Sequence, residues 1–163
     1  MNHPNVMSDP FHGRSSETEV LDLFGVHIRI LMPATATGGG LGMFEDHNDP
    51  GAGPPLHVHH DADEIFVIVS GSYKFACREN VIKASEGDVV LVPRGAPHTF
   101  LNCGTGRGHL LVTLRPGGFE GFFRAVADAK LDVPRDMSAI ADIARRYHLE
   151  FLGPNPLAGR EST

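Results

Sequence analysis

His57, His59 and His60 stand together in a 163-residue chain that holds ten histidines, and Glu64 and His98 follow them. In an extended strand, side chains at i and i+2 share one face about 7 Å apart, so His57 and His59 lean toward a common point, whereas on a helix they would diverge. Glu64 comes after the polar turn His60-Asp61-Ala62-Asp63 and opens the run Ile65-Phe66-Val67-Ile68-Val69. A chain reversal there returns its carboxylate beside the histidine pair as a third ligand. His98 follows the bend Pro93-Arg94-Gly95-Ala96-Pro97 and arrives from a different strand as a fourth.

Three imidazoles and one carboxylate are donors for one divalent transition-metal ion: iron, manganese, nickel, cobalt or zinc. Around zinc the four would close a tetrahedron, while an octahedral ion would keep two positions for water, oxygen or substrate. The residues leave that choice open. A dication, one carboxylate and three neutral imidazoles leave one net positive charge, which favours a bound enolate, phenolate or carboxylate and acidifies a substrate hydroxyl. Glu64 either stays a ligand or takes that proton as a general base, the catalytic role assigned to it here.

The elements that must position these side chains are short. Val20–Phe24, Val26–Leu31, Leu41–Phe44, Glu64–Val69, Tyr73–Cys77, Val89–Val92, His98–Leu101 and Leu110–Leu114 are apolar or alternating runs separated by Gly, Pro, Asn and Asp clusters. That pattern is all-β, an antiparallel sandwich or barrel. Gly71 and Gly87 fit tight hairpins, and Gly95 lets the bend swing His98 inward. Alternation from the ligands points Phe66, Ile68, Phe100 and Asn102 into the same apolar pocket, with Met43 a further lining candidate. Such a pocket suits an aromatic or alkyl small molecule with one or two oxygens for the metal, and suits a free sugar or phosphate less.

After Pro116-Gly117-Gly118 the period changes. Phe119, Phe122, Phe123 and Val126 fall on one helical face, and a second amphipathic helix follows with Asp136 as N-cap and Met137, Ile140, Ala141, Ala144 and Tyr147 on its apolar side. The tail around Pro154 and Pro156 is expected to be extended. The chain therefore divides into an arm at residues 1–16, a barrel at 17–116, and helices with a tail at 117–163 that pack on the barrel and close one mouth.

Composition narrows the function classes. Lys plus Arg number 14 against 20 Asp plus Glu, a net charge of -6, so nucleic acid and anionic membranes are poor partners. No apolar run approaches the roughly 20 residues of a membrane span. A cytoplasmic protein is expected, with Cys77 and Cys103 reduced and packed and a second copy of the chain as partner in a homodimer.

The spacing of these residues is similar to that of the cupin superfamily. Gly51, five residues, His57-Val58-His59, four residues, Glu64, six residues and Gly71 match its first motif. Gly87, five residues, Pro93-Arg94-Gly95, two residues, His98, three residues and Asn102 match its second. The resemblance implies a small antiparallel β-barrel of jelly-roll type whose His57, His59, Glu64 and His98 hold a metal at one end of an apolar cavity. Within cupins, Pro54-Pro55-Leu56-His57-Val58-His59, the Pro116-Gly117-Gly118-Phe119-Glu120 turn and the helical tail resemble the bacterial quercetinase-like group. That likeness implies a metal-dependent dioxygenase. Because the fold hosts many chemistries, a non-oxidative isomerase or cyclase and a purely ligand-binding barrel stand beside it.

The other histidines are expected to do no chemistry: His47 as a surface residue, His27 and His109 as packed or exposed strand residues, and His3, His12 and His148 in the arm and the second helix. His60, Asp61 and Asp63 read as a solvated turn.

Overall fold

Period-two alternation converts one side of each strand into core. Along Val26–Met32 the inward Ile28 and Ile30 are buried, and along Gly108–Arg115 the inward Leu110, Val112 and Leu114 are nearly inaccessible. The computed structural model describes residues 9–24 and 26–159. Its strands are β1 (Glu19–Leu23), β2 (Val26–Met32), β3 (Gly42–Asn48), β4 (Leu56–His59), β5 (Asp63–Ser70), β6 (Ser72–Cys77), β7 (Asn80–Ser85), β8 (Val89–Val92), β9 (His98–Asn102), β10 (Gly108–Arg115) and β11 (Leu149–Gly153). Helices α1 (Glu120–Asp128) and α2 (Met137–Arg146) precede β11.

All strand pairings are antiparallel, in two sheets of order β1-β2-β3-β10-β5-β8 and β11-β4-β9-β6-β7. Phe44, Phe66, Phe75 and Phe100 fill the space between them. The expected all-β architecture with two C-terminal helices is the one observed. Gly71, in the one-residue turn from β5 to β6, has φ 99°, a conformation that side chains disfavour.

Several expectations are revised. β3 runs on through the polar Glu45-Asp46-His47-Asn48, a stretch without the apolar signal that ends the expected strand at Phe44. β4 is a separate strand, β7 is mostly exposed on both faces, and β11 forms where only an extended tail is expected. β11 is integral to the second sheet, because Phe151 pairs with His57 and Leu149 with His59. Asp136 stands at the N-cap position of α2, but its carboxylate accepts from the Asp132 N–H and leaves the helix uncapped by a side chain. Cys77 and Cys103 are free, and Cys103 is exposed instead of packed. The first eight residues of the expected arm, His3 included, lie outside the described residues.

α1 is tied down by a buried acid. Glu120 in its first turn accepts from the Ala34 N–H at 2.7 Å and the Gly118 N–H at 3.1 Å. Phe119, Phe122 and Phe123 stack against one another beside it, and Phe123 meets Phe44 edge-on at 5.0 Å. Among the described residues, no helix is long and apolar enough to cross a membrane.

Candidate metal centre

His57 and His98 are register partners on β4 and β9, which brings their rings to 4.3 Å. His59, two residues along β4, turns to the same interior, and its ring lies 5.3 Å from that of His57. Glu64 comes from the other sheet. The segment after β4 crosses from one sheet to the other at a corner, so the expected reversal is not a hairpin within one sheet. His57, His59, Glu64 and His98 are all buried, and one ligand atom from each lies within 4.8 Å of the others. The site is a clasp between two sheets.

Backbone carbonyls set the rings. The His57 Nδ1 lies 2.8 Å from the Pro55 oxygen and the His98 Nδ1 2.9 Å from the Ala96 oxygen. A carbonyl only accepts, so both Nδ1 atoms carry the proton, and the Nε2 lone pairs of the neutral rings are left for the centre. The His98 Nε2 is 2.8 Å and the His59 Nε2 3.4 Å from the Glu64 Oε2. With a neutral ring, the short contact from His98 would set two acceptors against each other.

Without a metal, a shared proton resolves this conflict. Burial opposes charge on both partners, but the neighbouring histidines hold Glu64 down to about 2, and the Glu64 hydrogen bond lifts His98 above its ordinary value. Burial, then the other histidines, depresses His57 to about 3, and burial lowers His59. One proton thus sits among three imidazoles and an acid whose remaining lone pairs converge. A divalent ion replaces that proton with better-matched charge, so the residues present fit a metal.

The centre opens on a cavity of about 390 Å³. Ile28, Phe44, Phe66 and Phe100 wall it from the sheets, and Phe119, Phe122, Phe123, Ile140 and Phe151 wall it from the C-terminal segment. Of the expected pocket residues, Phe66 and Phe100 line this space and Met43, Ile68 and Asn102 do not. Met43 points to the opposite face of β3 from Phe44, an error of one residue in register. Ile68 is buried deeper in the core. Asn102 is fully buried as a loop clamp, donating to the Asn48 and Gly106 oxygens and accepting from the Gly104 N–H. His98 does not line the cavity and braces Glu64 from behind.

Sequence reasoning missed Asp46, Asn48 and Asn155, polar side chains that reach the cavity away from the ligands. The buried Tyr73 hydroxyl donates to the Asn48 Oδ1 at 2.8 Å, and the Asn48 amide donates to the Asp46 Oδ1 at 2.8 Å. Burial pushes Asp46 up to about 7, against the lowering effect of the Asn48 hydrogen bond and with some help from the Glu64 charge. The available signal was alternation, since Phe44, Asp46 and Asn48 continue one face of β3 through a stretch that reads as loop. Gly42 shares a register row with Leu114 and Glu64, and Asp46 lies four residues farther along β3, about 13 Å at the rise of a strand.

Residues 46–114, the strands that carry the ligands, match the family described as Cupin domain. Solved structures of similar shape include KdgF from Halomonas sp., with 18% identity, a TM-score of 0.61, and coverage of 69% of this chain and 99% of that one. A predicted oxalate decarboxylase from Thermotoga maritima has 24% identity and a TM-score of 0.58, covering 65% of this chain and 99% of its own. Streptomyces Pac13, a nucleoside dehydratase, has 14% identity and a TM-score of 0.57, over 69% of this chain and 88% of its own. At such identities the likeness establishes the cupin fold alone. No curated protein matches the sequence.

Proposed function

We propose that this cupin is a metal-dependent enzyme of dioxygenase type, acting on a small apolar or aromatic molecule that bears an enol, phenol or hydroxyl group. The observation that carries the reading is the opening of the four-donor clasp onto a cavity walled chiefly by phenylalanines. A bound divalent transition-metal ion would supply Lewis acidity toward a substrate oxygen. His57 and His59, both kept neutral by burial and His57 with its tautomer set by the Pro55 carbonyl, would hold the two ligand positions on β4. Glu64 is the catalytic residue of this reading, since its carboxylate at the cavity wall can receive the substrate's hydroxyl proton. His98 keeps Glu64 oriented. The aromatic walls exclude water and hold a planar substrate.

Asp46 favours a second reading. A carboxylate pushed up to about 7, in a cavity walled chiefly by phenylalanines, is suited to moving protons in a non-oxidative isomerisation, cyclisation or dehydration. It also suggests what the far end of a substrate looks like: a hydrogen-bond donor such as a second hydroxyl.

Oxygen consumption separates the two. Protein loaded in turn with iron(II), manganese, cobalt and nickel is expected to consume oxygen with a flavonol or a catechol. Absence of uptake with all four metals and both compounds would overturn the dioxygenase reading. Substrate loss without oxygen uptake would establish the second.

A further inference from the structure

The outer face of the larger sheet carries a second cluster of the same residue types. His47 on β3 is the register partner of His109 on β10, and Glu45 lies two residues before His47 on the same face. The two imidazoles stack with centroids 4.2 Å apart, and a ligand atom from each of Glu45, His47 and His109 lies within 4.8 Å of the others. Their side chains retain 13%, 34% and 21% of full exposure, respectively, so the cluster is recessed but reachable. None of the three lines the cavity, which lies on the opposite face of β3.

Two observations distinguish this cluster from ordinary surface polarity. The His109 Nε2 is shut off from solvent and is the buried side-chain nitrogen or oxygen without a hydrogen-bond partner among the described residues. It sits 3.3 Å from the Glu45 Oε1, close enough for attraction but outside hydrogen-bond geometry. An unpaired buried polar atom calls for an occupant such as a water or an ion. The second observation concerns Glu45. Arg29 on β2 donates through two nitrogens to the Oε2 alone, leaving the Oε1 toward His109. A hydrogen bond that fixes one carboxylate oxygen and orients the other is a common support for a metal ligand.

We propose that Glu45, His47 and His109 form a second, solvent-facing site for one divalent transition-metal ion that clips β3 to β10 and, through Arg29, to β2. Arg29 offsets the Glu45 charge, so the site relies on imidazole coordination. Zinc, copper or nickel therefore fits it, and calcium or magnesium does not. His27 pairs with His47 in register, but its ring is engaged by Asp22 and supplies no ligand.

Zinc stoichiometry tests the proposal. The full chain, stripped with a chelator, is dialysed against zinc ion and its metal content measured. Wild-type protein is expected to hold two equivalents, His47→Gln and His109→Gln one each, and His57→Gln one, retained on the outer face. A single wild-type equivalent that His57→Gln removes would overturn the proposal, as would a second equivalent that survives in both His47→Gln and His109→Gln. A single equivalent lost in His47→Gln but kept in His57→Gln would support the outer site and overturn the cavity centre. If His109→Gln fails to fold by circular dichroism, the more exposed His47→Gln carries the test.

Discussion

The inner quartet and the outer triad draw on the same two residue types, imidazole and carboxylate, yet the fold treats them differently. Inside, four ligand side chains from three strands converge where two sheets meet. Two of the rings are locked by backbone carbonyls, and the acid is buried at the cavity wall. Outside, three side chains from two adjacent strands share one face, ordered by ring stacking and by Arg29. The first arrangement is costly to hold without a cation or proton and is therefore preorganised for one. The second is more exposed, and when empty it leaves a single ring nitrogen unpaired. Ligand chemistry is common to both, and burial with second partners decides how much energy rides on each.

The largest expected effect tests that contrast directly. His98→Ala removes the partner of the buried Glu64 carboxylate, so metal affinity at the inner centre should fall by about 100-fold. The metal-free protein should lose about 3–5 kcal/mol of stability in urea. A loss comparable to that of an outer-site variant would break the comparison.

Tyr73→Phe should cost about 1–3 kcal/mol, because the buried Asn48 Oδ1 loses its donor. The deficit should appear in chemical denaturation whether or not metal is bound.

Asp46→Asn should show a pH-dependent effect. The folded-state pKa, about 7, lies above the ordinary carboxylate value, so the native state binds this proton more tightly than the unfolded chain. The carboxylate's cost is absent below about pH 4, grows between there and pH 7, and is complete above. Asp46→Asn is therefore expected to raise the melting temperature at pH 8 and leave it unchanged at pH 4. Because Asp46 is only partly buried, the gain is about 1–2 kcal/mol instead of the full value of the shift. With a substrate whose far end carries a hydroxyl, the same variant should lower kcat/KM about 10-fold, and with the analogue lacking that hydroxyl it should not.

The smallest effect belongs to the outer triad. His109→Gln in metal-free protein should change stability by less than about 1 kcal/mol, because the ring is partly exposed and its Nε2 makes no hydrogen bond to lose.

Much of the ligand set was legible in local spacing. His57 and His59 at i and i+2, Glu64 after a polar turn, and His98 after a glycine bend each carry their geometry in a few neighbouring residues, and strand alternation faces Phe66 and Phe100 toward the same space. Met43 shows the limit of such reasoning, since a one-residue ambiguity in where a strand faces exchanges Met43 for Phe44. Asp46 and Asn48 were hidden for a related reason. A polar stretch carries no hydrophobic period, so the alternation from Phe44 was the one local signal, and pairing with β2 and β10 shows that the strand continues.

The sequence by itself determined the short-strand architecture, the helical C-terminal segment and the identity of the four inner donors, because these depend on periodicity and turn chemistry within a few residues. Tertiary structure alone decided that Glu64 reaches the histidines from the opposite sheet and that β11 runs beside the ligand strand. It alone brought His47 and His109, far apart in the chain, into a stacked pair on the outer face. Strand order and long-range register are set by how the apolar faces of the whole molecule pack together, and no local stretch of residues encodes that choice.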